Sequence, residues 1–539
     1  MDFSDRFVLI NNIKLPVNAS PREAFSVAKG VLRKAGLLSF ARDYSIYRRS
    51  VDARRKPDIY FVYSVAVKGD FPKIDPDRQR RLGISLQNTV SLDITEKGNS
   101  PLAAPPIIVG AGPAGLFAAL ILAEKGYSPI ILERGGSVSE RVEAVRRFEL
   151  THILDTDTNI QFGAGGAGTF SDGKLVTRIN DPYTSYVLDR FIEFGAPEEI
   201  RYLAKPHIGT DILSVVVERM LDRICSLGGR VLYHTKYISP ILKDSTVKGI
   251  LTDKGEMDCG ALILAIGHSA RDTYENMIKA SFDIEAKNFS VGMRIEHLAE
   301  EIDYALYGTR EFNPTLGHAE YALSYDTKNR GSYTFCMCPG GVVVAAASEE
   351  GGVCVNGMSY NSRSERNSNS AVLTSVFKED FGGTPMAAIE FQKRIEQAAF
   401  KAGGGGYSAP IITFGDFISG ACKTEPKRIL PSYMSGNNVK LARPEEYLPD
   451  FVCKGICSAI LDFDKKIQGF ASSDALLTGA ETRTSAPLRI KRDNDTRLAL
   501  GYTNIFPAGE GAGYAGGITS ASIDGLRSAL ALMKIFRNN

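Results

Sequence analysis

The chain has 539 residues, of which 44% are hydrophobic and 23% are charged. At roughly 150 residues per domain this length predicts about three domains, and the composition excludes a disordered chain and a membrane bundle. The formal net charge is +2, but residues 1–100 carry 18 Lys and Arg against 11 Asp and Glu, while the rest carry 46 against 51. Because eight cysteines form no dense framework and no signal-peptide pattern is present, we expect a cytoplasmic protein.

The first hundred residues predict a small α+β domain. Ser20 followed by Pro21 predicts the start of a helix that ends near residue 35. Strands are predicted at residues 7–10, 43–49 and 58–67. Six basic residues crowd the middle of the domain: Arg42, Arg48, Arg49, Arg54, Arg55 and Lys56. They form either a site for nucleic acid or another anionic partner, or a solvated face that also contains Asp52.

Residues 106–133 carry the most specific local pattern in the sequence. An apolar strand leads into Gly110-Ala111-Gly112-Pro113-Ala114-Gly115, a helix follows, and a second apolar strand ends in Glu133. Gly110 permits the tight turn, Gly112 lets the backbone approach a pyrophosphate, and Gly115 lets the helix pack on the strand. The helix N-terminus offers N–H groups to phosphates, and Glu133 is placed for a ribose hydroxyl. This β-α-β unit predicts dinucleotide binding.

Two later segments indicate which dinucleotide is bound. Residues 258–267 form a strand of small residues that ends at Gly267, and residues 504–513 place a strand, an acid and a glycine loop before a last helix. In this order, the three segments resemble FAD-dependent oxidoreductases of the glutathione-reductase-like superfamily. The resemblance implies that Gly509 and Glu510 meet the ribityl chain and pyrophosphate, with the last helix pointing at the isoalloxazine ring.

Further motifs lie at residues 162–175, 335–341, 481–485 and 509–517. With the β-α-β unit they resemble a family of bacterial FAD-dependent dehydrogenases, or NAD(P)/FAD-dependent oxidoreductases, that carry a basic N-terminal domain. The resemblance implies an α/β fold in which an inserted α+β substrate domain interrupts a Rossmann-type FAD-binding domain. The implied boundaries are 1–100 for the N-terminal domain, 103–285 and 480–539 for the FAD-binding domain, and 286–479 for the insertion. Within the insertion we predict a strand at 341–346 and helices at 364–380 and 386–402.

FAD is therefore the predicted cofactor, and no metal site is predicted. Because no second unit of this kind follows residue 175, three sources of electrons stay open: NADH or NADPH as a diffusible donor, another donor, or the substrate itself. Arg141 either reaches the pyrophosphate, as the resemblance implies, or is a solvated helix arginine. The predicted cofactor-binding residues are Gly110, Gly112, Pro113, Ala114, Gly115, Glu133, Arg134, Arg141, Gly165, Gly166, Gly168, Ser171, Lys174, Ala265, Gly267, Gly509, Glu510, Gly517 and Ile518.

No single catalytic residue is assigned by the sequence. The candidates are Lys174, His207, Cys336, Cys338 and Arg483, with His268 as a second histidine near a glycine turn. Lys174 could lie near flavin N1 or O2, and the histidines are either proton-transfer groups or hydrogen-bonded loop residues. Cys336 and Cys338 are either buried strand cysteines or a thiol acid or nucleophile at the flavin face. An anionic substrate could be held by Arg428, Arg443 or Arg483, of which Arg483 is preferred.

The predicted function is an FAD-dependent oxidoreductase that transfers hydride or electrons to or from a small organic substrate. Two alternatives stay open: an RNA-acting flavoprotein that uses its basic N-terminal domain, and a redox sensor in which FAD is not catalytic. Residues 403–406, four consecutive glycines, are either a mobile lid or a linker. We predict no membrane partner, and the oligomeric state is left open.

Overall fold

The computed structural model describes residues 6–88, 98–177, 181–327 and 330–538. At its centre lies a five-stranded parallel sheet whose middle strand is the first strand of the β-α-β unit. In sheet order the strands are Ile505–Pro507, Leu262–Leu264, Ile107–Val109, Ile130–Leu132 and Arg230–Leu232. The segments at 106, 258 and 504, which are far apart in sequence, therefore become neighbouring strands, as the resemblance implies.

Two helices cover one face of this sheet. The dinucleotide helix, Pro113–Glu124, is apolar on all sides and packs against the C-terminal helix, Ile518–Ile535. The two helices approach closely because a Cβ added to Gly525 would lie 1.9 Å from the carbonyl oxygen of Ala114. A helix that is buried on every side needs no polar face, which explains its lack of apolar periodicity.

A seven-stranded, mainly antiparallel sheet forms the second layer of the molecule. In sheet order its strands are Ser324–Asp326, Gly331–Cys338, Asn367–Val376, Phe289–Leu298, Leu476–Glu481, Ala409–Thr413 and Val439–Leu441. The last strand pair is parallel. Leu476–Glu481 crosses the boundary predicted at residue 480, and the domain boundaries stay a prediction.

One predicted element of the insertion is wrong. Residues 364–380 were expected to be helical, but they hold the strand Asn367–Val376 and one short helical turn, Lys378–Phe381. Nine of the ten strand residues are buried, which means that both faces of the strand are covered. Its sequence therefore lacks the alternation of polar and apolar residues that identifies a strand with one exposed face. The predicted helix at 386–402 is confirmed by Pro385–Ala402, and the strand at 341–346 by Val342–Ala345.

The N-terminal residues form a four-stranded antiparallel sheet with two helices, Pro21–Lys34 and Pro76–Leu82. In sheet order the strands are Ala41–Asp52, Tyr60–Gly69, Arg6–Pro16 and Ile84–Asn88. Backbone hydrogen bonds tie Arg49 to the rest of the protein: its N–H donates to the Tyr202 carbonyl at 2.7 Å, and its carbonyl accepts from Ala204 at 2.8 Å. The basic residues of this unit therefore lie beside an internal contact.

The other strands form one antiparallel three-stranded sheet and three strand pairs. The three-stranded sheet is Gly255–Asp258, Thr246–Thr252 and Tyr237–Lys243. The pairs are Ile284–Ala286 with Leu488–Ile490, Val342–Ala345 with Val355–Met358, and Ser100–Pro101 with Phe536–Arg537. The remaining helices are Val138–Thr151, Tyr183–Glu193, Thr210–Ser226, Arg271–Lys279, Ala299–Tyr307, Phe414–Ser419 and Asp450–Asp464. None of the helices in the described ranges is long and apolar enough to span a bilayer.

Candidate functional site

A single cleft runs from the carboxyl ends of the parallel strands to the seven-stranded sheet. It encloses about 1580 Å³ of space, part of which is open to solvent. Most of the predicted cofactor residues line it: Gly110, Gly112, Pro113, Ala114, Glu133, Arg134, Gly166, Gly168, Ser171, Lys174, Ala265, Gly267, Gly509, Glu510, Gly517 and Ile518. The dinucleotide turn, residues 110–115, lies at one end of the cleft, which we call the turn end. We call the opposite side the wall; it is formed by Phe335, Cys336, Asn356, Gly357, Glu481, Arg483 and Thr484.

The glycines of the cleft have two different physical roles. A Cβ added to Gly267 or Gly516 would meet nothing within 4 Å, and one added to Gly112 would meet nothing nearer than 3.8 Å. These glycines therefore border empty space that side chains would fill. By contrast, a Cβ on Gly110 would lie 2.4 Å from the Ala265 carbonyl oxygen, and one on Gly115 would lie 1.9 Å from the Gly110 carbonyl oxygen.

A second glycine segment, residues 163–173, packs directly on the dinucleotide turn; we call it the glycine loop. The Gly165 N–H donates to the Ala111 carbonyl at 2.9 Å, and a Cβ on Gly166 would lie 2.9 Å from Gly112 Cα. Gly166 has a φ of +62°, a conformation that L side chains rarely adopt. Gly115 and Gly165 do not line the cleft, so their contribution is to packing and not to direct contact.

Glu133 is buried at the turn end and is bound by backbone amides. Its Oε1 accepts from the N–H groups of Gly135 and Gly163 at 3.0 and 2.9 Å, and its Oε2 accepts from Ala111 at 2.9 Å. The carboxylate thus joins the turn, its own strand end and the glycine loop. Because Oε2 accepts only one of these three bonds and Glu133 lines the cleft, the predicted ribose contact is compatible with the geometry.

Arg141 corrects both interpretations made from the sequence. Its side chain is fully buried, does not line the cleft, and donates to the carbonyls of Asn159, Ile160 and Ala164 at 2.6–2.8 Å. Burial lowers the pKa of its guanidinium to about 9, against the opposing charge of Glu133. Arg141 is therefore neither a solvated helix residue nor a cofactor contact; it holds the entry to the glycine loop in place.

The Gly509-Glu510 turn is fixed from the C-terminal helix. The Gly509 N–H donates to Asp524 Oδ2 at 2.7 Å, and Asp524 is itself paired with Arg492 at 2.8 Å. Glu510 lines the cleft, where burial raises the pKa of its carboxyl to about 8 although Lys287 opposes the shift. The carboxyl is thus largely protonated at neutral pH.

The wall is organised by Arg294, a residue that the sequence did not single out. Its guanidinium is fully buried and binds Glu481 through two nitrogens at 2.6 and 3.1 Å. It also donates to the Cys336 carbonyl at 2.8 Å and to the side-chain oxygen of Asn356 at 3.1 Å. Arg294 therefore links three segments of the wall without lining the cleft itself.

The two cysteines separate although positions i and i+2 of a regular strand share a face, because the strand is irregular between Phe335 and Cys338. Cys336 lines the cleft, with a φ of +41° at a strand irregularity, whereas Cys338 is buried and does not line it. Burial raises the pKa of the Cys336 thiol to about 12 and that of Cys338 to about 11. Neither sulfur is a thiolate at neutral pH, so the structure offers a thiol at position 336 and no activated nucleophile.

Arg483 lines the cleft, but its charge is already neutralised. It donates to Glu396 at 2.8 and 3.0 Å, and Arg271 binds the same buried carboxylate at 2.8 Å. Its role as the anion-binding arginine stays a prediction, in which an anion competes with Glu396 for the guanidinium. His268 also lines the cleft, and burial followed by the charges of Arg483 and Arg271 lowers its pKa to about 4, so the imidazole is neutral.

Lys174 faces the cleft at the start of a ladder of alternating charges. Its Nζ lies 3.4 Å from Asp172 Oδ2, and Asp172 is bound by Arg363, which in turn binds Glu320. Burial lowers the pKa of Lys174, but Asp172 and Glu320 outweigh it and hold that pKa above its usual value. The ammonium is therefore fully charged.

Two further predicted residues do not reach the cleft surface. His207 forms a β-bridge with Lys174 and points its Nδ1 at the Asp172 carbonyl, but it does not line the cleft. Arg428 binds Asp474 and Glu301, and Arg443 lies beside Glu445. These ion pairs lie away from the cleft, so neither arginine can hold a substrate there.

Several site residues were missed because their partners are distant in sequence. Arg294 and Glu481 are 187 positions apart, and Asp172 and Arg363 are 191 apart. The one signal available was that Asp172 and Glu481 lie inside motifs carried by the family resemblance. Among the described residues, no group of three or more His, Cys, Asp or Glu could hold a metal ion.

Family models match three parts of the chain. Residues 104–146 match an FAD binding domain, residues 288–484 match "FAD-dependent protein, C-terminal domain-like", and residues 8–68 match a domain of unknown function. A protein from Clostridium beijerinckii, described as an uncharacterized protein, is 45% identical over 494 residues and covers 91% of this chain and 92% of its own. The chain belongs to this family of FAD-dependent oxidoreductases.

Three more distant similarities are found. The digeranylgeranylglycerophospholipid reductase of Methanospirillum hungatei is 25% identical over 173 residues, which is 30% of this chain and 37% of its own. Among solved structures, L-amino acid deaminase from Proteus vulgaris has a TM-score of 0.33 at 13% identity, covering 81% of this chain and 95% of its own. L-proline dehydrogenase from P. horikoshii has a TM-score of 0.34 at 12% identity, covering 80% and 93%. These scores are too low to argue a substrate from.

Proposed function

We propose that the protein binds FAD along the cleft and transfers hydride or electrons between the flavin and a small organic substrate held against the wall. The observation that supports this is the continuity of the cleft from the dinucleotide turn to Cys336 and Glu481. One end has the glycine-bordered space and helix N-terminus that a pyrophosphate requires. The other end has charged and thiol side chains that can orient a second molecule.

The FAD fits the residues that are present. Gly112, Gly267 and Gly516 leave open space where side chains would block the backbone, and the N–H groups that begin the dinucleotide helix face the same space. When bound, the flavin supplies the two-electron chemistry. The chain's own residues have simpler tasks: the dinucleotide turn binds the cofactor, the glycine loop encloses it, and the wall orients the substrate.

The side chains at the wall limit which proton transfers are available. Cys336 carries its proton at neutral pH and can donate a hydrogen bond, whereas neutral His268 can accept one. Because their pKa values, about 12 and about 4, lie far from neutrality, both groups are better suited to hydrogen bonding than to proton transfer. Glu481 is held by Arg294, and we therefore assign orientation of the substrate to Glu481, Cys336 and His268.

NADH or NADPH remains a proposed donor. The sequence offers a single β-α-β unit of the dinucleotide type, so a nicotinamide would have to reach the flavin through the cleft. Anaerobic mixing with NADH, NADPH or dithionite, followed by flavin absorbance, separates the possibilities. Bleaching by a nicotinamide supports the diffusible donor, and bleaching by dithionite alone leaves the substrate or another donor as the source of electrons.

The proposal as a whole is tested by cofactor content. Purified protein should carry, or take up, one FAD per chain, with a flavin spectrum that shifts on binding. A protein with neither a flavin spectrum nor measurable FAD affinity contradicts the proposal. Bound flavin that no donor, including dithionite, can reduce would instead favour a non-catalytic protein in which FAD is structural.

A further inference from the structure

We infer that the substrate of the proposed flavin reaction is a small carboxylic acid, whose carboxylate binds the ammonium of Lys174 at the wall end of the cleft. This inference rests on the proposed function, because it concerns the second molecule in the same cleft. The inference is based on a comparison of the lysines and arginines that line the cleft and of the carboxylates that pair with each of them.

Four lysines and arginines line the cleft: Arg134, Lys174, Lys236 and Arg483. Arg134 binds Asp157 at 2.8 Å and Asp272 at 3.0 Å, and Lys236 also binds Asp272. Arg483 binds Glu396 through two nitrogens. Lys174 differs in distance: its one ion pair among the described residues, to Asp172, is 3.4 Å long, which is longer than the ion pairs of the other three cations.

The carboxylate beside Lys174 is already in use. Asp172 is buried, accepts from Arg363 Nη2 at 2.9 Å, and also accepts from the hydroxyl of Ser359. Lys174 therefore shares its counter-ion with a second cation, and an ammonium has three donors to satisfy. Since its side chain is 24% exposed and lines the cleft, the ammonium is accessible to a ligand in the cleft.

The ladder that ends at Lys174 has one excess positive charge. From the surface inward it runs Lys205, Glu320, Arg363, Asp172 and Lys174, with distances of 3.7, 2.7, 2.9 and 3.4 Å between successive charged groups. Each carboxylate lies between two cations, so three positive charges face two negative ones. The uncompensated positive charge therefore lies at the two ends of the ladder. Lys205 is exposed to solvent, and Lys174 faces the cleft.

The position of Lys174 favours a substrate over the pyrophosphate. Its partner Asp172 accepts a hydrogen bond from the hydroxyl of Ser359, which directly follows the strand that supplies Asn356 and Gly357 to the wall. The neighbouring residue, Leu175, accepts a hydrogen bond at 2.8 Å from Thr519 at the start of the C-terminal helix. Lys174 thus lies where the wall meets the helix that the resemblance directs at the isoalloxazine ring, and a carboxylate bound there would be beside the reacting atoms.

The test uses FAD-loaded protein and pairs of matched small molecules. Acetate, oxalate and benzoate are titrated against acetamide, oxamide and benzamide, and binding is followed by the perturbation of flavin absorbance. Variants are Lys174→Met, which removes the charge at similar length, and Lys174→Arg, which keeps it. Lys465→Met is the matched control, because Lys465 is a surface lysine 3.6 Å from Asp462 and does not line the cleft.

We expect at least one carboxylate to bind and its amide to bind weakly or not at all. Lys174→Met should weaken carboxylate binding about ten- to a hundred-fold, as loss of a charge-assisted hydrogen bond does, whereas Lys174→Arg should retain most of it and Lys465→Met all of it. Flavin content should be unchanged in all three variants. The inference is wrong if no carboxylate perturbs the flavin, if amides bind equally well, or if Lys174→Met binds carboxylates normally.

The same experiment separates this inference from the proposed function. If wild-type protein binds no FAD, the proposed function fails before any titration begins. If wild-type protein binds FAD and Lys174→Met loses it, Lys174 contacts the cofactor and the substrate assignment is overturned.

Discussion

The two ends of the cleft are built in opposite ways. At the turn end, backbone groups do most of the binding: Glu133 accepts from three amide groups, and the space itself is made by glycines such as Gly112. At the wall, buried side chains hold one another, with Arg294 joining Glu481, Cys336 and Asn356. The structure of the turn end is thus determined by local sequence, whereas that of the wall depends on tertiary contacts between distant segments.

This difference predicts how each end tolerates change. A backbone site fails when an added atom occupies its space, and it can fail without loss of folding. A side-chain network fails when one partner leaves the others buried and unpaired, and it then costs stability first. The following experiments, from the largest expected effect to the smallest, test this distinction.

Gly112→Glu should abolish FAD retention and leave the protein folded. A Cβ at this position meets no protein atom nearer than 3.8 Å, and the φ of −74° suits any residue, but the carboxylate would occupy and repel the pyrophosphate site. We expect FAD affinity to fall at least about a hundred-fold, with the melting temperature of the FAD-free protein near that of wild type.

The matched control for this variant is Gly115→Ala. Its Cβ would lie 1.9 Å from the Gly110 carbonyl oxygen, so the smaller substitution should lower the melting temperature strongly. Full FAD occupancy in Gly112→Glu, or an unchanged melting temperature in Gly115→Ala, would show that the two classes of glycine are not distinct.

Arg294→Met should destabilise the fold by about 3–5 kcal/mol, which is typical when one partner of a buried ion pair is removed. The loss leaves the Glu481 carboxylate buried without its partner, and the Arg294→Met/Glu481→Leu double variant should recover part of the stability. Urea unfolding measures both. Protein that remains folded should still bind FAD, because Arg294 does not line the cleft.

A contradictory result for Arg294 is easily recognised. If Arg294→Met lost FAD while unfolding at the same urea concentration as wild type, the wall would be part of the cofactor site. The comparison between the two ends would then be wrong.

The same comparison explains what could be predicted from the sequence. The β-α-β unit, its glycines and Glu133 lie within 28 consecutive residues and follow from turn and helix physics, so the FAD-binding fold was accessible. The strands at 262 and 505 were placed by their small residues and their order along the chain. Arg141 was misjudged because the sequence shows its helix but not the three carbonyls that surround it.

The wall could not be predicted in the same way. Arg483 was preferred as an anion site because it lies beside the returning segment, yet Glu396, which neutralises it, comes from a helix 87 positions earlier. Buried strands such as Asn367–Val376 lack the alternation that would identify them, so even the sheet that carries the wall was partly assigned as helix. Long-range pairing of charges has no local signal.

Glu510 should make the stability of the FAD-free protein depend on pH, through a group at the turn end. Its pKa is raised from an ordinary value near 4.5 to about 8, because burial disfavours the charged carboxylate. The unfolded carboxyl loses its proton first, so this group should lower the stability of the FAD-free protein progressively as pH rises from about 4.5 to about 8, with no further change above that.

Thermal unfolding of FAD-free wild type and Glu510→Gln at pH 5.5, 7 and 8.5 measures this effect. The glutamine variant keeps the shape but cannot ionise, so its melting temperature should fall less across the series. Parallel pH profiles for the two proteins would show that Glu510 titrates normally.

The smallest effect is expected for changes to the basic N-terminal unit, where the quantity measured is the salt dependence of RNA binding. Of its six clustered basic residues, Arg54 is paired with Asp52, Arg42 with Asp70, and the Lys56 ammonium with the Ala305 carbonyl, while Arg49 lies over the Phe61 and Tyr202 rings. Arg48 and Arg55 have no such partner among the described residues. We predict that only Arg48 and Arg55, which make none of these contacts, bind phosphates, so that at about −0.7 per phosphate contact on a single strand the salt dependence of RNA binding is weak.

We therefore expect a plot of log affinity against log salt for a single-stranded RNA oligonucleotide to have a slope no steeper than about −1.4. Arg48→Gln/Arg55→Gln should remove most of that slope, and Lys465→Gln/Lys466→Gln, a pair of surface lysines elsewhere, should not. A much steeper slope that the Arg48 and Arg55 changes abolish would revive an RNA-acting role. The internal ion pairs of this unit would then have to open on binding, because at rest they already use the charges that phosphates would need.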